Sequence, residues 1–329
     1  DHIDGFARSY KVNGAGFTCS FNNQFVTDSA SCIFTGRLRS KAPTWLASID
    51  YKPTDDLLLF GKVSRGYKAG AFNAFSVRPE TRTSKPEYVT SYEVGFKSDW
   101  RLGDVPVRFN LSAYEVRYKD IQRNVGDFNT VTRASGVQLT QARATIKGIE
   151  LEANIRPFDG FEIGGNYSYT DAKYTHYAFT PTAATLDCSD KIIPAGGTAD
   201  QSCIPFQYVA PHIFSVHASY DHSLAGEMGS LRLFVSYSHS SRLYGEASLR
   251  PEAQPDAYQE AFGLLNASVT WADVGGAPVD LTAYVTNATN ELYRISNTHV
   301  YPSQLYSTAT YAEPRMFGLR ARFRFGGEQ

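Results

Sequence analysis

The sequence lacks any long apolar run. Nothing in its 329 residues approaches the ~18 consecutive apolar residues that a membrane-spanning helix needs, and a helical membrane protein is excluded on that ground. It also lacks an excess of charge of either sign. With 32 Lys and Arg against 33 Asp and Glu, the basic face of a nucleic-acid binder is missing and no nucleic-acid partner is expected. The seven histidines show no metal-ligand spacing; His212, His217 and His222 are five apart, which on a strand sends alternate members to opposite faces. There is no G-x-S-x-G, no paired acid motif and no phosphate-binding glycine loop, and Ser236 and His239 have opposite strand parity. These absences point away from an enzyme and give no reason to expect a metal or a cofactor. The chain opens at Asp1 without an initiator Met or a leader, so a segment upstream is expected.

Aromatic residues are plentiful: 21 Tyr and 21 Phe stand beside only 2 Met, a bias that favours strands. Mean hydropathy is −0.32, ordinary for a soluble protein. The same average describes a membrane β-barrel, whose lipid-facing residues alternate with polar lumen residues. Period-2 alternation is in fact the dominant pattern. Phe161, Ile163, Gly165, Tyr167 and Tyr169 interleave with Glu162, Gly164, Asn166, Ser168 and Thr170. Near the end, Phe317, Leu319, Ala321, Phe323 and Phe325 interleave with Gly318, Arg320, Arg322 and Arg324. Three alternate arginines cannot face a dry core; they need water or carboxylates.

Eleven segments alternate in this way, at 44–53, 57–68, 88–100, 105–119, 144–157, 161–174, 212–222, 230–240, 262–272, 279–288 and 315–326. Many have the ten or so residues of a tilted membrane-spanning strand rather than the ~5–6 of a globular one. The connections alternate too. Thr54–Asp56, Arg101–Asp104, Phe158–Gly160, Ser223–Gly229 and Asp273–Pro278 are short, whereas 69–87, 120–143, 175–211, 241–261 and 289–314 are long. Short turns on one side and long loops on the other mark an up-and-down outer-membrane barrel, short turns periplasmic and long loops outside. Parity supplies a separate check. It sends Tyr51, Trp100, Phe161, Tyr220, Trp271 and Phe325 outward at the short-turn end, as an aromatic girdle, with Trp45 at the opposite end. The same parity sends Glu93, Lys97, Asp99, Arg108, Glu150, Glu152, Arg156, Glu162, Arg232, Asp280, Arg320, Arg322 and Arg324 to the lumen, and leaves 57–68 ambiguous around Lys62 and Arg65.

Eleven strands cannot close by antiparallel pairing alone, and lipid does not tolerate an open edge. Either 1–43 hides a twelfth strand, for which Cys32–Leu38 is the best candidate, or the strand at 44–53 pairs outside this chain; the second reading is preferred. The chain divides as 1–43, an extracellular loop region, 44–326, the barrel, and 327–329, a short periplasmic tail. Four cysteines in polar stretches suggest an oxidising compartment, and local pairing predicts Cys19–Cys32 and Cys188–Cys203. N-x-S/T occurs at Asn110, Asn166, Asn266 and Asn287, all expected on strands and facing the lumen, hence chance matches.

Several segments carry a resemblance: "VSRGYKAGAFN" (63–73), "SYEVGFKSDW" (91–100), "LSAYEVRYKDIQ" (111–122), "ARATIKGIELEANIRP" (142–157), "YSYTDAKY" (167–174), "YVTNATNELYR" (284–294) and "EPRMFGLRARFRF" (313–325). In order and spacing they resemble the C-terminal barrel of TonB-dependent outer-membrane receptors, over almost everything after Pro43. The resemblance implies an all-β fold, a transmembrane antiparallel up-and-down barrel of which this chain holds about the last 11 of 22 strands. It implies partners as well: an N-terminal plug and barrel half, the TonB–ExbB–ExbD complex, outer-membrane lipid including lipopolysaccharide, and a small-molecule nutrient, most simply a ferric siderophore. The chain departs from the pattern in continuing past Phe325 to Gly326–Gln329 rather than ending on an aromatic residue. Family members capture ligand with loop residues, which makes Arg123, His176, Tyr177, Phe179, Tyr301, Gln304, Tyr306 and Tyr311 the candidates here. Other functions on the same barrel are a passive porin-like channel and a surface receptor or adhesin.

Overall fold

The computed structural model describes residues 2–8, 10–19, 24–73, 75–129, 135–181, 183–245, 257–299 and 306–325. Eleven strands form one antiparallel sheet in which every strand lies beside its sequence neighbours. They are β1 (Trp45–Thr54), β2 (Leu57–Lys68), β3 (Glu87–Leu102), β4 (Val105–Phe128), β5 (Ser135–Phe158), β6 (Phe161–His176), β7 (His212–Ser223), β8 (Ser230–Ser240), β9 (Phe262–Ala272), β10 (Val279–Thr286) and β11 (Met316–Phe323). β1 and β11 are the two edges of this sheet. Unpaired strand edges are not stable in hydrocarbon, where no water can satisfy the backbone, so the sheet is part of a larger closed wall.

Alternation decides the two faces, and the pairing register carries it from strand to strand. One continuous row runs Tyr51, Leu59, Phe96, Leu111, Leu151, Tyr167 and Phe214. A row on the other face runs Lys97, Asn110, Glu152, Asn166 and Ser215. The first face stays bare: Ile49 is 73% exposed and Leu319 88%. A soluble protein does not leave so large an apolar face to water, so its solvent is lipid. The aromatic girdle stands as expected. Tyr51, Trp100, Phe161, Tyr220 and Trp271 all share the apolar face next to short turns, as their registers with Leu59, Val107, each other and Leu281 show. Phe325 lies just past β11, and Trp45 opens β1 at the opposite end. The register also resolves the ambiguity in β2: Lys62 pairs with Glu93 on the polar face, and Arg65 pairs with Thr90 on the apolar one.

Two expectations need correction. The stretch 120–143 is not a loop for most of its length. Beyond a bulge at Asp120 (φ 59), β4 and β5 keep pairing as a hairpin that runs up to Phe128 and Ser135. Among the described residues of 1–43 no strand joins the wall, in keeping with the preferred reading. Ile33–Arg39, close to the suspected twelfth strand, is a strand, but it pairs with His2–Arg8 in its own two-stranded sheet and not with the wall. Asn287 is not on a strand: β10 ends at Thr286, and Asn287 turns with φ 48 while its amide bonds Glu291 and Glu313.

The tight reversals follow from local sequence. In the Asp159–Gly160 turn between β5 and β6, Gly160 sits at φ +79, and a Cβ there would lie 2.2 Å from the Asp221 carbonyl oxygen. Only glycine fits both demands.

Candidate functional site

The polar face is a lattice of charge. Lys62 pairs with Glu93 at 2.5 Å, and Arg108 with Asp99 at 2.7 Å. Glu162 accepts from Asn154 at 2.9 Å and from Arg156 at 2.6 Å, with His217 at 3.9 Å. Asn110 donates to Glu152 at 3.0 Å. Farther along, Arg232 pairs with Asp221 at 2.6 Å, and Arg324 with both Asp280 and Asp273. Arg322 stands opposite Asp280 in the β10–β11 register, and Arg320 lies over the Tyr284 ring at 5.7 Å. A concavity of about 620 Å³ opens along this face between Glu93, Lys97, Glu150, Glu152, Asn166 and His217. The charged residues that parity sent inward share one face in register; of the three alternate arginines, among the described residues only Arg324 meets carboxylates, while Arg320 lies over Tyr284 and Arg322 faces Asp280 across the strands.

The loop end is built differently. Segment 177–211 folds down over the β4–β5 hairpin extension and buries a small core of Ile121, Val125, Ala142, Ala144, Tyr174, Tyr177, Phe179 and Ile204. The rings of Tyr174 and Tyr177 lie 4.6 Å apart, as do those of Tyr174 and Phe206. Arg123 donates to Gln207 at 3.0 Å and covers Phe206 at 4.9 Å. The Cys188–Cys203 disulfide closes the segment, and Cys19–Cys32 closes a second one nearer the start, both as expected. Immediately before Cys188, the Asp187 carboxylate accepts from the backbone N–H groups of Lys191 and Ser189 and from the Ser189 hydroxyl. These bonds favour its charged form and hold its pKa below the ordinary aspartate value, the Lys191 contact most.

The candidate ligand residues therefore separate. Tyr177 (2% exposed) and Phe179 (7%) are core groups of the loop, and Arg123 ties that loop to β4. His176 is exposed at the end of β6, and Tyr306 and Tyr311 are 50% and 53% exposed. Tyr301 and Gln304 lie outside the described residues. A cluster that sequence reasoning missed stands beside Tyr311. Tyr311 pairs in register with Arg294, whose guanidinium lies 5.8 Å from the Tyr258 ring, and Arg242 covers Tyr258 at 4.4 Å. Tyr244 packs edge-on to Tyr258, and Arg242 reaches Glu260 at 3.3 Å. The pattern Arg-Leu-Tyr at 242–244 and Tyr-Arg at 293–294 was the available signal, but only the fold brings the two stretches together.

An antiparallel meander with one apolar face, one charged face and its long loops at a single end is the wall of an outer-membrane β-barrel. The family model described as "TonB dependent receptor-like, beta-barrel" matches residues 4–288, and the chain belongs to that family, whose members are outer-membrane transporters and not enzymes. The polar face is accordingly the lumen wall. Among solved structures, the ferric yersiniabactin uptake receptor FyuA of Yersinia pestis aligns with TM-score 0.64 at 18% identity over 89% of this chain and 39% of that one. The siderophore receptor PiuA of Acinetobacter baumannii gives 0.61 at 18% over 90% and 38%, and the copper transporter OprC 0.61 at 13% over 98% and 45%. At these identities the likeness is one of fold. This chain spans about two fifths of each of those proteins, as a partial barrel should.

Proposed function

We propose that the protein imports a bulky, scarce nutrient across the outer membrane, a ferric siderophore or a similar metal complex. In this reading a plug from the N-terminal part gates the lumen, and the TonB–ExbB–ExbD complex supplies the energy. The observation that carries it is the cluster of Arg242, Tyr258, Arg294 and Tyr311 at the loop end. Paired guanidinium groups over an aromatic ring suit an anionic ligand with flat, polarisable parts, which describes many metal chelates. Two of the named structural neighbours are siderophore receptors, and a third carries copper, which fits the same class of cargo. The test is uptake of radiolabelled iron chelates by cells that carry the protein. Uptake is expected to stop when TonB is deleted or the proton gradient collapses, and Arg242→Ala with Arg294→Ala is expected to weaken ligand binding. Uptake that continues without TonB would instead support a passive channel; binding without uptake would support a surface receptor.

A further inference from the structure

The lumen wall divides into two sectors. On β2–β6 the inward face is crowded with charge, as where Lys62 meets Glu93 and Glu162 meets Arg156. On β7–β9 the inward face carries mainly hydroxyls and amides. One row reads Ser215, Ser238 and Leu264, the next His217, Ser236 and Asn266, and a third Ser219, Phe234 and Ser268. Between the level of Ser240 and that of the Asp221–Arg232 pair, no Asp, Glu, Lys or Arg points inward from these three strands. Among the described residues, nothing engages the hydroxyls of Ser236, Ser238 and Ser268, so each is available to donate and to accept.

This neutral sector has arginines at both ends. Above it, the chain runs on from Ser240 to Arg242, and Tyr244 pairs with Tyr258 shortly before β9 begins. The cluster of Arg242, Tyr258 and Arg294 therefore extends the β8–β9 pair beyond the wall, and not the charged sector. Below it, one row runs Arg232, Thr270, Thr282 and Arg320, with Arg322 two residues farther along β11. Arg232 is held by Asp221, whereas Arg320 and Arg322 make no ion pair among the described residues. From Ser240 to Arg232 the strand descends eight residues, roughly 26 Å along its length at the usual rise.

A passing solute needs contacts that form and break readily. An ion-paired lattice serves this badly, because a charged solute must displace a partner or stay bound to it. Hydroxyls offer a succession of weak hydrogen bonds and no fixed charge to trap an ion, so they bind without retaining. Arginines at the two ends give an anion one favourable place to enter and another to arrive.

We infer, resting on the import function proposed above, that the β7–β10 sector is the track along which the ligand crosses the lumen. The track carries anions, passed from Arg242 and Arg294 down to Arg320 and Arg322. Ser236, Ser238, Asn266 and Ser268 touch the ligand in transit and do not capture it. The charged sector of β2–β6 lies off the route.

The test uses the full-length receptor in cells and two probes: radiolabelled ferric tris(catecholate), an anion, and ferric tris(hydroxamate), which is uncharged. Surface binding and initial uptake rate are measured separately. Wild-type cells are expected to import the anionic chelate at least about tenfold faster than the uncharged one. Ser236→Trp with Ser268→Trp fills the track and is expected to cut uptake about tenfold or more. Surface binding should stay unchanged in that variant, which also shows that the barrel has folded. Ser91→Trp with Ser112→Trp puts the same bulk on the charged sector, opposite Ser64 and Glu150, and uptake should stay close to the wild-type rate. Arg320→Gln with Arg322→Gln should slow uptake of the anion and narrow its lead over the uncharged chelate. A further readout does not depend on bulk: a photoreactive benzophenone side chain in place of Ser238 should crosslink to the catecholate in energised cells, and one in place of Ser112 should not. Wild-type uptake that ignores TonB would overturn the import function and the track with it. TonB-dependent uptake that runs at full rate with the track filled, or crosslinking in place of Ser112 and not of Ser238, would overturn the track alone. An uncharged chelate imported as fast as the anionic one would overturn the preference for anions.

Discussion

The two ends of the wall are held together by different forces. At the short-turn end the chain reverses within a few residues, as at Asp159–Gly160, and exposed ion pairs bridge the hairpins: Asp99 with Arg108, Arg156 with Glu162, and Asp221 with Arg232. At the loop end the excursion 177–211 adds no strand to the wall and, among its described residues, makes only two short internal pairings, Ala178–Phe179 with Ala199–Asp200 and Thr185–Leu186 with Ile192–Ile193. It is held instead by a buried aromatic core, a disulfide and an acidic turn. Where backbone pairing is immediate, side chains add little. Where the chain must travel far, loop-closure entropy has to be offset by contacts distant in sequence.

That contrast can be broken from the loop end first. Tyr174→Ala removes the ring shared by Tyr177 and Phe206, and the loop is expected to lose about 3 kcal/mol of local stability, in line with other large-to-small aromatic substitutions. Hydrogen exchange across 177–211 should rise while exchange in β7–β10 stays unchanged. Removing the crosslink with Cys188→Ser and Cys203→Ser is expected to cost up to about 3 kcal/mol in the chain-entropy model, seen as faster protease cleavage between those positions. At the other end Arg232→Ala breaks an ion pair whose side chains are 62% and 43% exposed, and it should shift urea unfolding by less than about 1 kcal/mol. The smallest effect is confined to one turn. The folded-state pKa of Asp187 is depressed, so the stabilisation it gives is complete above the ordinary aspartate value and disappears as pH falls through the folded-state value. Protection of the Ser189 and Lys191 amides should fall over that acid range, and Asp187→Asn should remove the pH dependence.

How much of this was legible in the sequence follows from where each strand sits. Within the bilayer one face meets lipid and the other water, so alternation is strong; β2 and β9 were placed at 57–68 and 262–272, as the structure has them. Above the bilayer both faces are wet, and the signal fades. The hairpin extension made by Ile121–Phe128 and Ser135–Ala142, with Gly126, Asp127 and Asn129 close to its tip, therefore read as a loop. The site shows the same limit. Lumen charge such as Glu150 and Arg322 could be assigned from parity alone. The packing of Tyr177 and Phe179 onto Ile121 and Val125, and the meeting of Arg242 with Tyr258 and Arg294, depend on contacts between segments that no local pattern reveals.

The central claim is that a single parity divides this wall into a lipid face and a lumen face. The direct test is a nitroxide scan of β5 at positions 149–154, one label at a time, in the intact protein in outer-membrane vesicles. Labels at Ile149, Leu151 and Ala153 should collide mainly with oxygen dissolved in the bilayer, and labels at Glu150, Glu152 and Asn154 mainly with a water-soluble nickel chelate. An absent alternation, or one of opposite phase, would contradict the account.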